Sequence, residues 1–185
     1  MFFTGCAGTG KSLVLKHIIA ALSPDSTFVT APTGLAASVL GGTTLNTFAG
    51  IGRGEGTLES LTRAASRMEP MLRWRAARVL IVDEVSMLDG RLFDTLEAIA
   101  RAVRSSTAPF GGIQLVLCGD FFQLPPVARG REGMAARRFL FEAASWGRCI
   151  SRVAVLSKVF RQQVGAGSGG GHMCVETVVL RLQWL

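Results

Sequence analysis

Residues Gly5-Cys6-Ala7-Gly8-Thr9-Gly10-Lys11-Ser12 satisfy G-x-x-x-x-G-K-[ST] in full, directly after the apolar start Met1-Phe2-Phe3. This pattern commits the chain to a strand, a tight turn and a helix. Glycines permit the turn, consecutive backbone N–H groups then converge on an anion, and the helix from Ser12 to Leu22 adds the positive end of its dipole. The segment reads as a phosphate-binding loop formed by Gly5 through Ser12, in which Lys11 holds β- and γ-phosphates and Ser12 a magnesium ion. A chance match in a chain of this size has odds of roughly one in a hundred.

A nucleotide-hydrolysing site needs acids as well as a cradle, and Val79-Leu80-Ile81-Val82-Asp83-Glu84 supplies them. Four consecutive apolar residues predict a strand buried on both faces, as in a parallel sheet, and the acids arrive at its C-terminal end. Open α/β sheets bind their ligands at that end. Asp83 is placed there to hold magnesium through the metal's water shell, and Glu84 to orient and deprotonate an attacking water. An adjacent acid pair alone reads as solvated surface; the buried strand and the upstream loop give this pair its meaning.

With 185 residues, 49% of them hydrophobic, the chain has room for one domain with a substantial core. No apolar run approaches the ~20 residues that span a bilayer, which excludes a transmembrane helix. A functional loop that starts at Gly5 leaves no place for a secretory or transit signal, and a first strand at residue 1 is expected of a chain that has lost what preceded it. The net charge is +7, and since Lys11, Lys16 and Lys158 are the lysines, 17 of the 20 basic residues are arginine. They gather in two stretches: Arg53, Arg63, Arg67, Arg73, Arg75 and Arg78, then Arg129, Arg131, Arg137, Arg138, Arg148 and Arg152. Each is either a solvated face or, beside a nucleotide site, a surface for a polyanion such as nucleic acid. Cys6, Cys118, Cys149 and Cys174 are scattered and the histidines are His17 and His172. That spacing supports neither a zinc site nor a disulfide framework; it fits a reducing compartment, with Cys6 and Cys118 as packing residues.

Strand and helix patterns alternate, which predicts an α/β fold with a parallel sheet covered on both faces. The expected strands are Phe2 to Thr4, Thr27 to Thr30, Val79 to Val82, Ile113 to Cys118 and Val153 to Leu156. Helices are expected over Ser12 to Leu22, Gly34 to Leu40, Leu58 to Arg75 and Leu88 to Val103, the last with Leu92, Leu96, Ile99 and Val103 on one face. Gly41 to Gly56 is glycine-rich and reads as loop. Domain organisation is expected as one unit over residues 1–163, followed by a Gly/Ser-rich linker from Gly165 to Gly171. Cys174 to Leu185 alternates like an added strand or is an unrelated tail, and carries no motif.

Several segments together resemble the petite-integration-frequency (Pif) DNA helicases of superfamily one, relatives of RecD. The resemblance spans residues 2 to about 163. It rests on the phosphate loop, on Thr33-Gly34-Leu35-Ala36-Ala37, on Gly41-Gly42-Thr43-Thr44-Leu45 with Phe48-Ala49-Gly50-Ile51-Gly52, and on Asp83-Glu84-Val85-Ser86-Met87-Leu88-Asp89. It continues through Gly119-Asp120-Phe121-Phe122-Gln123-Leu124-Pro125-Pro126-Val127 and Val159-Phe160-Arg161-Gln162-Gln163. The order and spacing of these segments are highly specific.

The resemblance implies a P-loop NTPase fold, the first of two RecA-like domains, in a 5′-to-3′ DNA helicase using ATP and magnesium on single-stranded DNA. It further implies an intracellular monomer, nuclear or mitochondrial if eukaryotic, with no membrane and no small-molecule substrate besides ATP, of a family associated with DNA repair, recombination and telomere maintenance. Gln123 corresponds to a γ-phosphate sensor and Arg161 to an arginine that reaches the γ-phosphate across the domain cleft. Thr33, Gly34, Thr43, Thr44, Asn46 and Phe48 fall in segments that line the DNA path, where hydroxyls and N–H groups suit sugar-phosphate contacts. Phe48 either stacks on a base or packs in the core. Asn46 stands where the family usually has His, and the family's upstream adenine-recognising segment and second RecA-like domain have no counterpart among these 185 residues. A nucleotide- and DNA-binding module without helicase activity is therefore the alternative reading.

Overall fold

The computed structural model describes residues 1–126, 138–158 and 181–183. Its strands are β1 (Phe2–Thr4), β2 (Thr27–Ala31), β3 (Thr43–Thr44), β4 (Val79–Val82), β5 (Gln114–Gly119), β6 (Val153–Val155) and β7 (Arg181–Gln183). They form one sheet in the order β3-β2-β4-β5-β1-β6-β7. All neighbours are parallel except β7, which runs antiparallel to β6 with Ala154 opposite Leu182. The expected parallel α/β sheet is present, and part of the unassigned C-terminal stretch extends it.

Helices cover both faces because strand side chains alternate between them. Phe2, Leu80, Val82, Leu115 and Leu117 face a large core under α3 (Leu45–Ala49), α4 (Leu58–Ala65), α5 (Met68–Ala76) and α6 (Gly90–Val103). Phe3, Val79, Ile81, Val116 and Cys118 face a smaller one with Leu15 of α1 (Lys11–Ala21), flanked by half-buried Val14, Ile18 and Ile19. Helix α2 (Gly34–Val39) follows β2, and α7 (Trp146–Cys149) precedes β6. No helix among the described residues is long and apolar enough to cross a membrane.

Two expectations give way here. The stretch read as loop from Gly41 to Gly56 contains β3 and α3. Thr44 accepts the Thr47 N–H to start that helix, and Gly50, at φ 71°, ends it, a conformation glycine adopts at little cost. The single helix expected over Leu58 to Arg75 is two, broken at Ser66-Arg67. Pro70 gives the reason: inside a long helix its ring and missing N–H disrupt the ladder, whereas the restart at Met68 puts it in a first turn, where that N–H has no intrahelical acceptor anyway.

In α6 the buried stripe is Phe93, Leu96, Glu97, Ile99, Ala100 and Val103. It is rotated from the expected one, with Leu92 only half-buried. No sequence motif marks Glu97, which is 1% exposed. Its carboxylate accepts from Arg101 Nε at 2.9 and 3.1 Å and from the Phe110 N–H at 3.4 Å, and pairs with Arg148 at 2.5 Å. This one acid ties α6 to the 3₁₀ turn Pro109–Gly112 and to α7.

Candidate active site and nucleic-acid groove

Strand order decides which loops meet. β4, β5 and β1 are consecutive neighbours, so the residues following them share the C-terminal edge of the sheet. The phosphate loop leaves β1 and ends at Gly10, whose φ of 86° turns the chain into α1. Thr9 is buried and its hydroxyl donates to the Cys6 carbonyl at 2.8 Å, while Lys11 Nζ donates to the Gly5 and Cys6 carbonyls at 2.6 and 3.1 Å. The ammonium thus sits against the loop it must serve. Ser12 is exposed at the start of α1. Cys6 is exposed too, so the packing role expected of it does not hold; Cys118 is buried as expected, and burial together with neighbouring Asp83 pushes its thiol pKa far up.

Asp83 and Glu84 follow β4. Glu84 occupies the left-handed region at φ 52°, and its N–H donates to Asp83 Oδ1 at 2.9 Å. A non-glycine residue held there costs on the order of 1–3 kcal/mol; here the turn leads directly into the 3₁₀ segment Val85–Met87. Burial raises the Glu84 pKa, Asp83 and Asp120 add to the rise, and Lys11 opposes it. A carboxylate with a raised pKa beside a phosphate loop suits a base.

The turn after β5 completes the edge. Asp120 accepts from Gln123 Nε2 at 2.9 Å and from the Phe122 N–H at 3.1 Å. These bonds, the Gln123 one foremost, outweigh desolvation and hold its carboxyl below the ordinary range, with help from Lys11. Gln123 itself is exposed. Gly119 is required by closeness: a Cβ there would lie 2.9 Å from the Val85 backbone nitrogen, so the turn carrying Gln123 abuts the segment carrying Glu84.

Farther along the same edge, β2 and β3 end at a surface groove of about 410 Å³ lined by Pro32, Thr44, Asn46, Thr47, Gly52, Arg53 and Glu55. Of the residues assigned to the DNA path, Thr44 and Asn46 line it. Thr33 and Thr44 also cap helices, accepting from the Ala36 and Thr47 N–H groups at 3.2 and 3.1 Å. Thr43 pairs with Thr30 in β3, and Gly34 is exposed at the start of α2. Phe48, placed in the DNA path with core packing as its alternative, takes the alternative: it is 0% exposed, with ring centroids 5.0 Å from Phe28 and 4.8 Å from Trp74. It packs in the core beneath α3.

The basic stretches also divide. Arg73 turns inward to backbone carbonyls and Arg148 to Glu97, while Arg63 remains at the surface beside Glu59. Arg129, Arg131, Arg137 and Arg161 lie outside the described residues, as do the linker from Gly165 to Gly171, His172 and Cys174.

A parallel sheet that delivers a phosphate loop, an acid pair and a Gln-bearing turn to one edge defines a RecA-like P-loop domain. A family model for PIF1-like helicases matches residues 1–170, and the chain belongs to that family, as the sequence resemblance implied. It is 52% identical to the ATP-dependent DNA helicase PIF1 of Danio rerio over 162 residues, covering 88% of this chain and 25% of that protein. Among solved structures, Pif1 helicase from Candida albicans matches with a TM-score of 0.82 at 47% identity, covering 88% of this chain and 37% of the other. Pif1 from Bacteroides in complex with ADP-AlF3 and ssDNA matches with a TM-score of 0.72 at 36% identity, covering 88% and 39%. The chain therefore spans about a quarter of the length of the curated relatives it matches.

Proposed function

We propose that this chain is the nucleotide-hydrolysing, strand-contacting RecA-like domain of an ATP-dependent 5′-to-3′ DNA helicase, its core lying within residues 1–163. The observation that carries the reading is the single edge on which Lys11, Asp83, Glu84 and Gln123 meet, at 36–52% identity to proteins named as Pif1 helicases. One solved relative is described with ADP-AlF3 and ssDNA, ligands of the two classes this edge suits.

The residues fit a nucleoside triphosphate with magnesium. The buried Thr9 hydroxyl holds the turn, Lys11 is already poised over it, and the exposed Ser12 hydroxyl and Asp83 are oxygen donors of the type magnesium takes. Bound by these donors, magnesium would neutralise phosphate charge. Glu84 takes the proton of the attacking water, Lys11 offsets charge developing on the phosphates, and Gln123, anchored to Asp120, registers whether the terminal phosphate is present. By the family resemblance, Arg161, outside the described residues, would reach the terminal phosphate across a cleft to a second domain, so Arg161→Ala is expected to change turnover of this chain little. Thr44, Asn46 and Arg53 line the path of a single strand through sugar-phosphate contacts, with little base preference.

ATP turnover measured with and without single-stranded DNA tests this reading. Lys11→Ala is expected to remove nucleotide binding, whereas Glu84→Gln keeps binding and loses turnover. A Glu84→Gln protein turning over ATP at the unmutated rate refutes the assignment of the base.

A further inference from the structure

Resting on the strand-binding reading of the groove, we propose that Arg73 is a positioning residue for single-stranded nucleic acid: it fixes α3, whose first residues line the groove, without touching the strand itself. Helix α3 is only five residues long and cannot hold its own geometry, since helices of this length are marginal without outside contacts. Its N-terminal half presents Asn46 and Thr47 to the groove, beside Thr44. At its C-terminal end the Gly50 N–H reaches the Asn46 and Thr47 carbonyls, and α5 supplies further donors where a helix end lacks them.

Arg73 Nε donates to the Phe48 carbonyl at 3.0 Å and Nη2 to the Thr47 carbonyl at 2.8 Å, while Nη1 meets Glu69 at 2.7 Å. Trp74 Nε1 donates to the Ala49 carbonyl at 3.2 Å. Three successive carbonyls are thus held by two adjacent side chains, and a cation at a helix C-terminus is favoured by the dipole as well. Helix α5 is fixed in turn: Arg104 donates to the carbonyls of Trp74, Arg75 and Ala77 at its C-terminal end, and to Gly111.

Arg73 is 24% exposed in its side chain. Its fork is occupied by two carbonyls and a carboxylate, so it has been drawn out of the basic stretch that sequence alone offers to a polyanion. A direct phosphate contact and a positioning residue differ in one measurable way. Removing a phosphate contact lowers the slope of log affinity against log salt by about one, because one fewer counterion is released. Removing a positioning residue lowers affinity and leaves the slope alone.

The test titrates labelled oligothymidylate at several salt concentrations, and a fluorescent ADP in parallel, against the unmutated chain, Arg73→Gln, Arg73→Lys and Arg63→Gln. Arg63 is 78% exposed, so its replacement removes the same charge from the neighbouring helix without releasing a carbonyl. The expected result is a loss of about tenfold in strand affinity for Arg73→Gln, the scale of one or two charge-assisted hydrogen bonds, at an unchanged salt slope and unchanged ADP affinity. Arg73→Lys, which keeps an ammonium donor for one carbonyl, falls between. Arg63→Gln stays near the unmutated chain.

Equal losses for Arg63→Gln and Arg73→Gln, or a slope reduced by about one for Arg73→Gln alone, overturn the proposal in favour of charge. An undiminished affinity overturns it outright. If Arg73→Gln fails to fold, Arg73→Lys decides by the same two readouts. An unmutated chain that binds no oligothymidylate refutes the strand-binding reading itself and this inference with it, whereas binding that Arg73→Gln leaves intact refutes this inference alone.

Discussion

Glu84 shows how much of the proposed chemistry one side chain carries. Burial is the largest cause of its raised pKa, followed by the like charge of Asp83. A base works only when deprotonated, so the acid limb of turnover is expected above the ordinary glutamate value of 4.5. A pH–rate profile that stays flat down to pH 4.5 contradicts that assignment. The stability consequences have opposite signs. Glu84 is more easily protonated in the fold than in the unfolded chain, so its contribution falls as pH rises through its raised native value. Asp120, lowered chiefly by its bond from Gln123, contributes stability that is present above 3.8 and lost as pH falls through its depressed native value. Asp94 behaves like Asp120: burial pushes it up, but bonds from the Ser145 hydroxyl and from the Ser145 and Ala144 N–H groups pull it below 3.8. Phe48 belongs at this scale too. Phe48→Ala is expected to cost about 3–5 kcal/mol of stability as a large-to-small core change, seen as a lowered melting temperature; an unchanged melt with weakened strand binding would restore the base-stacking role.

At the scale of elements, polar side chains on α5 and α6 do what apolar packing cannot. On α5, Arg73 and Trp74 donate to the carbonyls at the end of the short helix α3. Glu97 joins α6 to the Pro109–Gly112 turn and to α7 through Arg101, Arg148 and the Phe110 N–H. Glu97→Ala leaves two arginines and one N–H without their partner. The expected loss is about 2–3 kcal/mol, short of the cost for a fully buried pair because both arginine side chains keep solvent access. Chemical denaturation of Glu97→Ala against Glu97→Gln checks it, since Gln retains an acceptor and is expected to lose less.

Over the whole molecule, one edge of the sheet carries the groove at β2 and β3, the acids at β4, the Gln123 turn at β5 and the phosphate loop at β1. A strand and a nucleotide bound along this edge would contact neighbouring loops of one sheet. Directed stepping requires two bodies whose separation changes with nucleotide state, and the described residues form one sheet. The 185-residue chain is therefore expected to hydrolyse ATP without separating strands. A 5′-tailed duplex incubated with ATP, magnesium and excess chain should remain intact on a gel; ATP-dependent release by verified monomer would show that one such domain suffices.

The phosphate loop was legible from eight consecutive residues because its chemistry is local: backbone N–H groups converge through a turn that the glycines permit, wherever the rest of the chain lies. The apolar run before Asp83 was legible for a similar reason, since burial on both faces leaves no alternation. Helix α3 was not, because five residues in a glycine-rich stretch show no period, and the core it packs into and the α5 donors that meet its carbonyls lie some 25 residues away or more. Nor could sequence say that Phe48 and Arg73 face inward, or that Glu97 is buried. Those outcomes depend on what packs opposite each side chain, and that follows from the order β3-β2-β4-β5-β1, which pairs strands far apart in the chain and brings Lys11, Glu84 and Gln123 to one edge. Sequence by itself offered the candidate groups and strands β1, β4 and β5 that carry most of them; the tertiary structure decided which of those groups meet, because hydrogen-bonded pairing and shared burial act between segments that no local pattern relates.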